Sequence, residues 1–140
     1  MKCKDIMTKD PACCVGTDTA MAAAEIMKSE DVGAVPVVDD SSSKRLTGII
    51  TDRDLALEIV AAGKDPKSVK IGEVMKSGLV TCKTTDDVKK AIDKMADYQI
   101  RRIPVVDEDG CVVGIIAQAD VATRLEEPEA TADMVEEISR

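Results

Sequence analysis

Histidine, phenylalanine and tryptophan are absent from this 140-residue chain, and Tyr98 is its single tyrosine. Each absence excludes something. Without histidine the chain lacks the side chain that most often activates a nucleophilic thiol or hydroxyl near neutral pH. A structural zinc would need four thiolates or a thiolate–carboxylate mixture, and no C-x-x-C spacing is present. Catalysis and a metal centre are therefore not expected. Without large aromatics the core must be built from Ile, Val, Leu, Ala and Met. Basic residues are also in deficit, 19 Lys and Arg against 27 Asp and Glu, giving a net charge of −8. That balance opposes nonspecific nucleic-acid binding, and Arg101 with Arg102 is the obvious candidate for a local basic patch. No apolar run approaches the roughly 20 residues that cross a bilayer. Met1-Lys2-Cys3-Lys4-Asp5 leads into no apolar segment of the secretory kind. The five cysteines are an odd number without scaffold spacing and read as reduced thiols of a cytoplasmic protein.

What is present is repetition. At an offset of 68 residues Met7 matches Met75, Thr17-Asp18 matches Thr85-Asp86, Ala23 matches Ala91, Met27 matches Met95, and Pro36-Val37-Val38-Asp39 matches Pro104-Val105-Val106-Asp107. After a polar turn two residues shorter in the second copy, Gly48 matches Gly114 and Asp54 matches Asp120 at an offset of 66. A gap confined to a turn is where a duplication absorbs one.

Each copy reads β-α-β-β-α. A short β segment (Ala12 to Val15; Leu79 to Cys82) follows the lead-in Asp5-Ile6-Met7 or Glu73-Val74-Met75. Thr17-Asp18 and Thr85-Asp86 offer N-cap chemistry. The stripes Ala20, Ala23, Ala24, Met27 and Val88, Ala91, Ile92, Met95 have the i, i+3, i+4, i+7 spacing of an amphipathic helix. Two apolar strands then form a hairpin around Asp40-Ser41-Ser42-Ser43-Lys44 or Glu108-Asp109-Gly110. A helix carrying Leu55, Ile59 and Val60, or Val121, Ala122 and Leu125, closes the unit. The expected organisation is repeat 1 over 1–62, a linker over 63–70, repeat 2 over 71–126, and an acidic helical tail over 127–140 with Met134, Val135 and Ile138 on one side. Consecutive apolar strand positions suit a sheet covered on both faces.

The lead-ins "DIM" and "EVM", the strands "VPVVD" and "IPVVD", and the corners "GIITDRD" and "GIIAQAD" together resemble the CBS domain in its tandem form, the Bateman module. The resemblance spans residues 3 to 126 and is similar to that of small stand-alone bacterial and archaeal pairs. It implies an α/β fold of two pseudo-twofold related β-α-β-β-α halves packed through their sheets. It also implies a regulatory, energy-sensing protein whose clefts bind AMP, ADP, ATP or S-adenosylmethionine, with no catalytic cofactor, and a disk-like homodimer. On the family's corner pattern, Asp54 takes the ribose hydroxyls of site 1 with Thr51 beside it, and Cys13, Cys14 and Pro36 lie against adenine. Asp120 with Gln118, Thr81, Cys82 and Pro104 forms site 2, which is weaker because Ala117 replaces the hydroxyl. Arg101 and Arg102 are phosphate ligands for site 1, and Arg53 for site 2. An ionised carboxylate is acceptor-only and suits a cis-diol, and helix-start amides beside Asp52 and Gln118 favour an anion.

Plainer roles stand beside these. A helix-start acid such as Asp54 or Asp120 gains ~0.3–1 kcal/mol from the helix dipole without any ligand. Arg101 and Arg102 can serve an ion-paired surface. Buried cysteines behave as small hydrophobes. Two other functions stay open: a ligand-free interaction module docking a partner protein through the acidic tail, and a redox or metal sensor using Cys13, Cys14 and Cys82.

Overall fold

The computed structural model describes residues 1–124. Leu125 and the expected acidic helical tail over 127–140 lie outside the described residues.

Two compact units emerge, and their boundaries do not follow the repeats. One contains Pro11–Leu79; the other contains Met1–Asp10 together with the chain from Val80 onward. The lead-in of each repeat is thus built into the unit of the other.

In the unit of Pro11–Leu79, strand β2 (Cys14–Val15) pairs in parallel with β3 (Ala34–Val38), which pairs in antiparallel register with β4 (Leu46–Thr51). Helix α2 (Ala20–Glu30) makes the crossover from β2 to β3, as a parallel pair requires. Helix α3 (Asp52–Leu55) continues into a wide turn in which Ala61 N–H reaches back five residues to Ala56 O at 2.9 Å. The exchanged lead-in is a single helical turn, α4 (Ile71–Val74), followed by Lys76, whose backbone pairs with Ile49 through two 3.0 Å bonds.

The second unit repeats this plan. Strand β5 (Cys82–Lys83) pairs in parallel with β6 (Arg102–Val106), and β6 pairs in antiparallel register with β7 (Val112–Ala117). Helix α5 (Val88–Asp97) is the crossover and α6 (Gln118–Arg124) follows β7. The exchanged lead-in is α1 (Cys3–Ile6) with β1 (Thr8–Lys9), which extends the sheet beyond β7. The short strands differ from expectation in extent: Cys14–Val15 and Cys82–Lys83 are only two residues long.

The copies agree in detail. Register shifts fall between Val37 and Val38 and between Val105 and Val106. Asp31 and Gln99, 68 residues apart, follow the two crossover helices with φ of 55° and 56°. The unequal turns end alike: Asp39 N–H bonds Arg45 O, and Asp107 N–H bonds Cys111 O, each at 2.9 Å. In each, the aspartate Oδ1 gathers backbone N–H groups from across the turn.

The N-caps need a correction. Thr19 caps α2 by accepting from Ala22 N–H, and Asp87 caps α5 by accepting from Lys89 N–H. Asp18 and Asp86 instead take Val15 N–H (3.1 Å) and Lys83 N–H (2.8 Å), closing the turn just before the helix. Short polar side chains serve both sites, and here the turn claims the earlier residue.

The cores are aliphatic, as the absence of aromatics requires. Val35, Val37, Ile50 and Ile71 are fully buried in one unit, and Ile103, Val105, Ile116, Met95 and Val121 in the other. At about 1.5–3 kcal/mol for each large side chain removed from water, these clusters dominate what holds each unit together. Val88, Ala91, Ile92 and Met95 are all buried along α5, while on α2 Ala24 remains half-exposed beside buried Ala20, Ala23 and Met27.

Candidate functional site

The end of β4 runs into α3 at Thr51, and this corner concentrates the polar chemistry of its unit. Thr51 Oγ1 accepts from Asp54 N–H at 3.1 Å, and Asp54 Oδ2 accepts from Thr51 N–H at 3.0 Å. This reciprocal pair is a capping box. Asp52 N–H bonds Gly33 O at 2.9 Å, tying the corner to the start of β3.

Asp54 is only 5% exposed, the one buried charged residue among those described. A buried carboxylate needs partners. Its second oxygen, Oδ1, lies 3.1 Å from Lys76 Nζ. Lys76 arrives on the exchanged lead-in, positioned by its backbone pairing with Ile49. Its side chain is 63% exposed, so the ion pair is solvent-screened and contributes at most about 1 kcal/mol. Sequence reasoning missed this lysine because the exchange of lead-ins places it.

The second corner is built alike with different substituents. Asp120 Oδ2 accepts from Ala117 N–H at 3.0 Å, and Gln118 N–H bonds Arg101 O at 2.8 Å. Ala117 supplies no hydroxyl. Thr8, paired with Ile115, takes the place that Lys76 holds opposite Ile49. Asp120 is half-buried rather than buried.

The other expected site residues sort by unit. Cys14 is buried and its thiol donates to Pro36 O at 3.7 Å, so these two stand together; half-exposed Cys13 turns its thiol to Pro11 O at 3.2 Å. Pro36 lies two residues along β3 from Ala34, which faces Thr51 directly. Cys82 and Pro104 are joined in the same manner, at 3.9 Å. Thr81 O receives Lys94 Nζ at 2.7 Å. Exposed Arg101 and half-buried Arg102 belong to the unit of Asp120, and exposed Arg53 to that of Asp54. Burial pushes the Cys14 thiol up to about 12, with Asp18 adding to the effect, and raises that of Cys13. Among the described residues, no group of three or more His, Cys, Asp and Glu side chains gathers to hold a metal ion. None of their helices is long and apolar enough to cross a membrane.

Two α/β units of one plan, each ending a hairpin strand in a carboxylate-bearing corner, define a paired-repeat module. The family model of the CBS domain matches residues 3–61 and again residues 71–127, and the chain belongs to that family as a tandem pair. Among its relatives, the CBS domain-containing protein YhcV of Bacillus subtilis is 38% identical over 136 residues, covering 97% of this chain and 94% of that protein. The crystal structure of Hypoxic Response Protein I with two coordinated zinc ions superposes with a TM-score of 0.79 at 34% identity, covering 89% of this chain and 99% of that one. The CBS domain pair of protein MJ0100, in complex with 5′-methylthioadenosine and S-adenosyl-L-methionine, gives a TM-score of 0.78 at 32% identity, covering 88% and 94%.

Proposed function

We propose that this chain is a non-catalytic regulatory module that binds an adenosine-containing ligand, and that the Thr51–Asp54 corner is its principal contact. The observation that carries the reading is the buried Asp54 carboxylate, oriented by Thr51 N–H and set at a helix start. A carboxylate has about four acceptor positions. Thr51 N–H and Lys76 Nζ occupy two of them, and the remainder suit the paired hydroxyls of a ribose. The relative solved with methylthioadenosine and S-adenosylmethionine supports the adenosine class. Arg101 and Arg102 are proposed as phosphate ligands, which would favour AMP, ADP or ATP, since guanidinium groups bind phosphate bidentately. The Asp120 corner is the weaker site, because Ala117 supplies no counterpart of the Thr51 hydroxyl. The protein works as a homodimer in this reading, and exposed Leu57 and Val60 are apolar surface that self-association can cover.

The test is a thermal-shift panel of AMP, ADP, ATP, S-adenosylmethionine and methylthioadenosine. A ligand at 100 times its Kd adds about 2.7 kcal/mol of stability. A shift with at least one compound supports the proposal and names the ligand. No shift at millimolar concentration with all five contradicts it.

A further inference from the structure

The Asp54 corner carries a cation where the second repeat has a neutral residue. Lys76 Nζ lies 3.1 Å from Asp54 Oδ1, while Thr51 N–H holds Oδ2 at 3.0 Å. The two ends of this lysine differ in freedom. Its backbone is fastened to β4 by the paired 3.0 Å bonds with Ile49, and the turn before it is closed by Met75 N–H on Ile71 O at 2.9 Å. Its side chain is 63% exposed and ends in a compact charge on a flexible four-carbon stem. The base is fixed and the tip is free to turn. At the equivalent position of the second repeat stands Thr8, opposite Ile115.

We infer that Lys76 reads the 5′ substituent of the ligand and makes this corner select an anionic one, a nucleoside phosphate over a neutral or sulfonium-bearing nucleoside. The inference rests on the proposal that Asp54 receives the ribose diol. A diol seated on the carboxylate leaves the 5′ carbon only one sugar ring away. That span is short against a lysine stem, so the ammonium that starts on Asp54 Oδ1 can turn to the 5′ group while its backbone stays in place.

The charge balance argues the same way. Asp54 is buried, so a phosphate brought this close meets a poorly screened like charge unless a cation stands between the two. Lys76 stands there. In turning from carboxylate to phosphate it exchanges one anionic partner for another, and the diol hydroxyls replace it as donors to Oδ1. Neither the buried carboxylate nor the ammonium is left without a partner. A methylthio group offers the ammonium no acceptor of comparable strength, so Lys76 stays on Asp54 and competes with the diol for Oδ1. A sulfonium adds repulsion between like charges. Thr8 brings no charge to the second corner, so the preference for an anionic ligand belongs to the first.

The experiment titrates the full chain with AMP and with 5′-methylthioadenosine, which share the adenosine and differ at the 5′ substituent. Wild type is compared with Lys76→Met, which keeps an unbranched stem and loses the charge, and with Lys76→Arg, which keeps the charge. The ion pair is solvent-screened, so both variants should fold, and melting curves check this. Lys76→Met should bind AMP about tenfold more weakly, the scale of one charge-assisted hydrogen bond, with methylthioadenosine bound as well as before or better. Added salt should weaken AMP binding more steeply in wild type than in Lys76→Met, and Lys76→Arg should retain the preference for AMP. Unchanged AMP affinity in Lys76→Met, or an equal loss for both ligands, would overturn the inference while leaving the Asp54 proposal standing. Wild type that binds methylthioadenosine but not AMP would overturn it as well, and binding of neither ligand would remove both.

Discussion

Gly48 shows how closely the exchanged lead-in approaches β4, and Gly48→Ala puts that approach to the test. A Cβ at Gly48 would lie 2.6 Å from Met75 Sδ, 3.1 Å from Met75 Cγ and 2.8 Å from Lys76 O. The thioether can swing aside. The carbonyl cannot do so cheaply, because it accepts Ile49 N–H at 3.0 Å while Lys76 N–H bonds Ile49 O at 3.0 Å. Restoring ordinary contact at 3.4 Å requires the lead-in backbone to retreat by 0.6 Å, the difference from 2.8 Å. Overpacking of this kind costs about 1–3 kcal/mol, and weakening two backbone hydrogen bonds adds roughly 0.5–1 kcal/mol each. Loss of glycine's freedom in the unfolded chain returns about 0.4–1 kcal/mol. The net destabilisation expected is about 2–3 kcal/mol, read from the midpoint of urea unfolding. Gly16→Ala is the control: its Cβ would meet nothing closer than Gly72 Cα at 3.6 Å, so the change should stay within about 0.5 kcal/mol. Adding Met75→Ala to Gly48→Ala should recover only the sulfur part of the loss. A Gly48→Ala protein within about 0.5 kcal/mol of wild type would refute the reasoning.

The capping asymmetry gives a reciprocal pair: Thr51→Ala should lose about 0.5–2 kcal/mol, and Ala117→Thr should gain roughly 1 kcal/mol by supplying the missing cap, both by chemical denaturation. Asp86 has its carboxyl held below the ordinary 3.8, chiefly by Lys83 N–H; burial opposes this, and the Lys90 and Lys94 ammonium groups add to the lowering. A depressed carboxylate contributes stability that is full above its unfolded value and is lost as pH falls through the folded one. Melting temperature should therefore drop below about pH 4, and Asp86→Asn should flatten that limb. Cys14, with its thiol raised to about 12, should stay protonated at pH 8, and Ellman titration of the native protein should leave it unreacted.

How much of this was legible in the sequence depended on whether the signal was local. The hairpins β3–β4 and β6–β7 follow from apolar runs flanking polar turns, and the apolar stripe of α5 maps onto buried residues one for one. The Thr51–Asp54 capping box was readable as a corner because its partners are three residues apart. The exchange of lead-ins was not readable, since nothing local distinguishes Met7 packing in its own repeat from Met7 packing against Gly114. The glycines within β4 and β7 were the available clue, because a strand glycine marks close approach of another chain segment. Lys76 on Asp54 was missed for the same reason: the contact is made by an exchanged segment. The N-caps were misplaced because Thr17-Asp18-Thr19 offers three adjacent candidates, and only the fold decides which one the turn takes.

Calorimetric titration of the wild type beside Asp54→Asn tests most directly whether Asp54 receives an adenosine ligand. The asparagine oxygen can still accept Thr51 N–H, so the corner is preserved while the charge and its acceptor capacity for a diol are lost. The titrant is whichever of AMP, ADP, ATP, S-adenosylmethionine or methylthioadenosine gives the largest thermal shift. Losing a hydrogen bond to a charged acceptor costs about 1.5–3 kcal/mol, so saturable binding by wild type and at least tenfold weaker binding by Asp54→Asn are expected, with folded stability lowered by no more than about 2 kcal/mol through loss of the Lys76 ion pair and the helix-dipole contribution. Equal affinity in the two proteins, or no heat of binding in either, would contradict that expectation.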